Sequence, residues 1–204
     1  ATFGTQRGIL VGTQMLAKGH DLPNLTLVAV VGIDEGLFSA DFRAPEKLAQ
    51  LLIQVAGRAG RAQRRGEVLL QTHHPDHPLL HTLLTGGYPA FAEVELAQRE
   101  AAGFPPFAHM AMLRAEAKQA DIAEAFLRAA RQALRDTGVD LELHGPLPAP
   151  MPRRAGFQRS QLLLSSPERR ALHGALDAAL PAIYASPEAR KVRWSLDVDP
   201  ADLY

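Results

Sequence analysis

Gln54-Val55-Ala56-Gly57-Arg58-Ala59-Gly60-Arg61 lies inside a run from Pro45 to Ala62 whose apolar residues, Leu48, Leu51, Leu52 and Val55, recur at a helical period. On a wheel at about 100° per residue these four span one arc of about 100°, and Gln54, Arg58 and Arg61 cluster within about 60° on a neighbouring arc. One face therefore suits packing on a sheet, while the other aims a carboxamide and two guanidiniums at a common point. Pro45 fits the first turn of such a helix, and Gly57 and Gly60 leave the backbone open to close approach. Guanidiniums match phosphate oxygens in a two-pronged way, and a finger that neutralises a transferring phosphoryl group speeds its transfer by roughly 10³–10⁵-fold. A solvated basic helix end has the same composition, since Arg near a helix C-terminus is ordinary. Spacing alone leaves both readings standing.

Upstream, Ile9-Leu10-Val11 reads as a short strand, and the polar run Gly12 to Pro23 follows it. Leu25 to Val31 is nearly continuous in apolar residues, the pattern expected of a strand buried on both faces of a parallel sheet. Glu67 to Thr72 is a further strand candidate. Strand, turn, strand, helix, strand is an α/β layout, and its polar motifs lie in the turns that leave strand ends, where such sheets bind ligands.

These residues carry a family resemblance. Gly12 to Pro23 is similar to motif V, and Gln54 to Arg61 to motif VI, of superfamily-two helicases and translocases. Leu37-Phe38-Ser39-Ala40-Asp41-Phe42-Arg43, Gln71-Thr72-His73-His74-Pro75, Gly103-Phe104-Pro105-Pro106, Gly145-Pro146 and Leu196-Asp197-Val198-Asp199-Pro200 extend the likeness over nearly the whole chain, in order. Together they resemble the primosomal protein N′ family of bacterial replication-restart DNA helicases.

The resemblance implies an ATP-driven, 3′-to-5′ motor. Arg58 and Arg61 would be its fingers, with Gln54 ordering the site and Gly19, Asp21 and Gly57 facing the nucleotide. Thr13, Gln14 and Lys18 would contact DNA. ATP and magnesium are the implied cofactors of the full-length protein, and the family's cysteine-ligated zinc lies outside this chain. Forked or single-stranded DNA, single-stranded DNA-binding protein and other primosome proteins are the implied partners. From the residues alone, Thr13 and Gln14 also suit a plain turn, and Lys18 a solvated loop.

Composition neither adds to this reading nor opposes it. The chain has 204 residues, 47% hydrophobic and 22% charged, enough to bury a core in two small domains. Its 22 Lys and Arg balance 22 Asp and Glu, so any DNA affinity comes from local placement rather than bulk charge. It has no cysteine, which excludes disulfides and cysteine-ligated zinc within it. No apolar run approaches about 20 residues and no signal-peptide pattern is present, so a cytoplasmic protein without a membrane partner is expected.

No Gly-x-x-x-x-Gly-Lys-Ser/Thr loop and no Asp-Glu pair after a strand is present to hold phosphates and magnesium. The chain therefore reads as the C-terminal part of a longer motor, not expected to turn over ATP by itself. The expected organisation is a partial RecA-like lobe over residues 1–85, a helical linker over 86–107 and a small α+β domain over 108–204. In that last domain, strands from His109 to Ala115, Leu141 to Leu147, Gln161 to Leu164 and Val192 to Val198 interleave with helices over Asp121 to Arg135 and from Pro167 through Leu180. The order βαββαβ is ferredoxin-like.

Two further groups are candidates for chemistry. His73, His74, His77 and His81 invite a metal site, but only Asp76 adds a carboxylate, and Pro75 and Pro78 favour a rigid structural loop; no metal is assigned. The basic loop Arg153-Arg154-Ala155-Gly156-Phe157-Gln158-Arg159 suits a DNA backbone, an acidic peptide or plain solvation, with Arg153, Arg154 and Arg159 as its contacts. Two functions stay open at this level: part of a helicase motor, or a non-catalytic scaffold that binds branched DNA and partners.

Overall fold

The computed structural model describes residues 8–13, 25–57 and 66–203. The chain divides into two compact units, Ala1–Ala97 and Gln98–Tyr204. Their boundary falls within a long helix, inside the stretch expected as a linker.

In the first unit, β1 (Leu27–Val30) and β2 (Glu67–Leu70) pair in parallel, with Leu27 opposite Glu67 and Val30 opposite Leu70. Between them lie the single-turn α1 (Asp34–Leu37) and α2 (Ala44–Ala56). The start of α2 is fixed by Asp41, which is buried and accepts three hydrogen bonds. Its Oδ1 takes the Arg43 N–H (3.1 Å), its Oδ2 the Lys47 ammonium (2.8 Å), and its carbonyl the Ala44 N–H (2.9 Å). A buried carboxylate is tolerable only when paired in this way. Pro45 sits in the first turn, where its missing N–H costs nothing.

Leu48, Ala49, Leu52 and Val55 form the buried face of α2, and Leu51 is only partly covered. The packing arc is thus rotated toward Ala49 relative to the expected one. At Leu48 the approach is close: a Cβ on Gly36 would lie 3.1 Å from the Leu48 Cβ, so α1 rests against α2 there and only a very small residue fits at position 36. The core adds Ile33, Leu37, Leu80, Leu83 and Phe91, with Val30 and Leu70 packed on it from the sheet.

Two strand expectations are corrected. Leu25 to Val31 is not buried on both faces. Val28 and Val30 are half-covered, whereas Leu27 and Ala29 are exposed, because the core meets one side of the pair. Ile9 and Val11 join no ladder among the described residues and are 90% and 87% exposed. An apolar triplet without a neighbouring strand has nothing to pair with.

Helix α3 (Pro78–Ala102) begins where a rigid loop was expected and kinks at Gly87, whose φ of 68° is outside helical space. Pro78 takes the first helical position, and the His77 Nδ1 accepts the Leu79 N–H at 3.2 Å as a cap.

The second unit runs β3 (His109–Ala117), α4 (Ala120–Arg135), β4 (Glu142–Arg154), β5 (Phe157–Ser166), α5 (Arg169–Ala185) and β6 (Arg193–Val198). Its four strands lie in the order β4-β5-β3-β6, all antiparallel. This is the ferredoxin-like arrangement expected from βαββαβ. Both helices cover one face. Ala111, Leu113, Ala115 and Ala117 of β3, with Leu162 and Leu164 of β5, meet Phe126, Leu127 and Leu134 of α4 and Leu172, Leu176 and Ile183 of α5.

Strand β4 is longer than expected. Pro146, Pro148, Pro150 and Pro152 lack donors, which a strand tolerates at a sheet edge, and β4 is such an edge. The ladder shifts register between His144 and Leu147 and again between Pro148 and Arg153. Arg131 of α4 secures the first irregularity by donating to the carbonyls of Gly145 (2.7 Å) and Leu143 (3.3 Å). Gly145 is required there: at φ 119°, a Cβ would lie 2.7 Å from the Gln161 carbonyl oxygen.

The buried face of α2 can be tested on its own. Leu52→Ala should lower stability by about 2–5 kcal/mol in urea unfolding followed in the first unit. A loss within about 0.5 kcal/mol, as at a surface position, would contradict this packing.

Candidate functional site

Helix α2 carries Gln54 near its end, half-exposed, and stops at Ala56 with Gly57 as its C-cap. The Gly57 N–H donates to the Ile53 carbonyl at 3.0 Å, and its φ of −69° is ordinary for any residue. A Cβ built on it would meet the Ile53 carbonyl at 3.5 Å and the Gln54 carbonyl at 3.8 Å, both comfortable distances. Among the described residues nothing therefore requires a glycine here, and Gly57 is exposed. Thr13 is exposed as well, in a segment without regular structure. Gln14, Lys18, Gly19, Asp21, Arg58 and Arg61 lie outside the described residues.

The end of α2 has an electrostatic consequence. A helix C-terminus carries partial negative charge on its last carbonyls, which repels phosphate. A phosphate could sit there only if cations from the chain just beyond neutralise it, and Arg58 and Arg61 are the next cations in sequence.

The basic loop is a β-hairpin rather than a loop. Ala155 (φ 48°) and Gly156 (φ 79°) make a two-residue turn with both residues left-handed, the type I′ geometry whose twist matches antiparallel strands. Arg153 pairs with Gln158, and Arg154 with Phe157. Arg153 and Arg154 are exposed. Arg159 is not a solvent-facing contact: its Nε lies 2.9 Å from Glu116 Oε1, opposite it on β3, and its side chain is 15% exposed. Of the three arginines, two stand at the tip and Arg159 is tied to the sheet.

The histidines are held by separate tasks. His73 donates its backbone N–H to Asp34 Oδ2 at 3.0 Å, and its Nδ1 lies 2.8 Å from the same oxygen. Thr72 gives Asp34 Oδ1 a short hydroxyl hydrogen bond. The rings of His74 and His77 pack edge-on against Phe38, with centroids 4.6 and 5.5 Å away. Asp34 is a residue that sequence reasoning missed. Its partners are 38 and 39 positions away, and no local pattern announces them.

Hydrogen bonds from the Thr72 hydroxyl first, then from the His73 backbone and ring, lower the Asp34 carboxyl from 3.8 to about 2. The ionised form therefore stabilises the fold above pH 3.8, and this contribution drains away as pH falls through about 2. Asp34→Asn should remove it: the gap in thermal midpoint between the native chain and the variant should shrink as pH is lowered across that window. A gap that stays constant would show that the hydrogen bonds do not favour the ionised carboxyl.

Among the described residues, no helix is long and apolar enough to cross a membrane. Comparison with known proteins extends the local picture. Residues 100–201, half of the chain, match the model of the primosomal protein N C-terminal domain, and residues 1–63 match the helicase conserved C-terminal domain. The chain is 54% identical over 201 residues to the replication restart protein PriA of Haemophilus influenzae, covering 96% of this chain and 27% of that one. It is 35% identical over 204 residues to the protein of the same name from Bacillus subtilis, covering 98% and 25%. The Synechocystis protein is 41% identical over 169 residues, covering 79% and 20%. The chain thus spans about a quarter of the length of these relatives. With an α/β first unit, a βαββαβ second unit and matches to both family models, the chain belongs to the PriA family of replication restart proteins, and corresponds to its C-terminal portion.

Proposed function

We propose that the chain is the C-terminal part of an ATP-dependent, 3′-to-5′ DNA helicase that restarts replication at stalled forks. The observation that carries this reading is the end of α2. One side of the helix is locked into the core by Leu48, Ala49, Leu52 and Val55, and it leads out through an exposed glycine for which the described residues give no steric reason, directly before Arg58 and Arg61. A glycine without a conformational reason is explained by a ligand that comes close to the backbone.

In this reading Gln54 orders the site, and Gly19, Asp21 and Gly57 face the nucleotide. Arg58 and Arg61 hold charge against its terminal phosphates, cancelling the unfavourable helix end. Bound ATP with magnesium supplies the phosphoryl group to be transferred. Thr13, Gln14 and Lys18 contact a DNA phosphate. In the second unit, Arg153 and Arg154 at the hairpin tip contact forked or single-stranded DNA, or the acidic tail of single-stranded DNA-binding protein, while Arg159 fixes the hairpin to β3. Other primosome proteins are further partners, in the cytoplasm.

The finger assignment is tested in the full-length parent. Arg61→Ala should lower ATP turnover by about 10³-fold or more and leave forked-DNA binding nearly intact, because its charge acts on the phosphoryl group. Turnover at the normal rate would sink the assignment, and lost DNA binding with intact turnover would move Arg61 to the nucleic-acid face.

A further inference from the structure

The face of the second unit's sheet turned away from α4 and α5 carries a cluster that the hairpin arginines alone do not describe. Cross-strand partners share a face, so register assigns the side chains. Ala115 and Ala117 point into the helix-covered core, which puts Glu116 on the opposite face, along with its partners Arg159 and Arg193. Phe157, two residues from Arg159 on β5, lies on that face too, and so does its partner Arg154. Arg153, paired with Gln158, falls on the opposite side.

Contacts confirm the grouping. The Lys118 ammonium lies 4.3 Å from the centroid of the Phe157 ring, and the Arg193 guanidinium carbon 4.6 Å from it. Both are cation–π distances, so one ring orders two cations, one just past the end of β3 and one on β6. Lys118, Arg154 and Arg193 are exposed, and Phe157 is half-buried. Arg154, Phe157 and Arg193 lie on β4, β5 and β6, and Lys118 directly follows β3, so the group crosses the sheet over about 14 Å at ordinary strand spacing. Glu116, the carboxylate within the group, is engaged by Arg159. Toward the other end of β6 the charge reverses, at Asp197, Asp199 and Asp202, the first and last of which pair with Arg114. A chain with no net charge thus gathers cations at one end of one face.

We propose that Lys118, Arg154 and Arg193, ordered around Phe157, form a sequence-independent binding site for the sugar-phosphate backbone of a single DNA strand. This rests on the reading that the hairpin end of the unit binds nucleic acid, and it changes the contact set by adding Lys118 and Arg193 and leaving out Arg153 and Arg159. Phosphates are the target because the Phe157 ring is already taken by two cations and is not free to stack a base. An acidic peptide with apolar anchors would need a socket, and the ring that could form one is covered. A short, flat line of cations fits one flexible strand that lies across it.

Binding of a fluorescently labelled oligo-dT to the 204-residue chain, followed by anisotropy over a series of salt concentrations, tests this. Lys118→Ala with Arg193→Ala should weaken binding about tenfold and flatten the slope of log affinity against log salt by about 1.4, at about 0.7 per phosphate contact on a single strand. Adding Arg154→Ala should bring the flattening to about 2. Phe157→Leu, which keeps apolar bulk but frees the two cations, should weaken binding with an unchanged melting temperature. If Arg153→Ala with Arg154→Ala weakens binding while the Lys118 and Arg193 pair leaves affinity and slope unchanged, the hairpin reading stands and this site is wrong. If none of the variants alters oligo-dT binding, both fail. Loss of binding to poly-glutamate with oligo-dT binding intact would overturn the nucleic-acid assignment in favour of an acidic peptide.

Discussion

The burial of one face of α2 is the constraint on which the first unit depends. Asp41 sets where the helix starts, because its carboxylate is acceptable in the interior only with the Arg43 N–H and the Lys47 ammonium on it. Leu48, Ala49, Leu52 and Val55 then fix its rotation, with Gly36 letting α1 close against Leu48. Start and rotation together determine where the chain leaves the helix and what it can present there. Gln54 emerges half-exposed, and Gly57 ends the helix on a side the core does not occupy.

Much of this was legible in the sequence, for identifiable reasons. The helical period through Leu48, Leu52 and Val55 is a local signal, and so is the βαββαβ succession of the second unit. What failed depended on long-range partners. Counting apolar letters put Leu51 in the packing face, but Ala49 is the fully buried residue and Leu51 is only partly covered, which depends on the elements that pack on α2 and not on α2's own sequence. Leu25 to Val31 looked fully buried because a nearly continuous apolar run carries no information about how many layers will cover it. Pro78 looked like part of a rigid loop, although proline also opens helices, and the cap that decides between the two comes from the His77 ring. The Asp34, Thr72 and His73 group joins the start of α1 to the end of β2 and has no signature within either.

The hairpin shows the same division. Ala155-Gly156 between Arg154 and Phe157 is a turn signal, but the prolines upstream hid the strand on its first side. Composition drew Arg153, Arg154 and Arg159 into one group; strand alternation separates them, one to each side of the sheet and one into an ion pair with Glu116. Lys118 and Arg193 are 35 or more positions from the turn, yet both reach Phe157. Motif resemblance named the family; the geometry of register and ring contacts distributes the charge.

The central claim, that the end of α2 is shaped for a ligand rather than for the fold, has a direct test in Gly57→Ala. Among the described residues, the φ of −69° and the 3.5 Å clearance to the nearest carbonyl leave room for a methyl group, and alanine at a compatible position stabilises by roughly 0.4–1 kcal/mol through the unfolded chain. Made in the full-length parent, the variant should melt at the same temperature or slightly higher and yet hydrolyse ATP markedly more slowly, because the added methyl intrudes where the nucleotide approaches the backbone. A variant that melts as high and hydrolyses ATP at the native rate would contradict the claim.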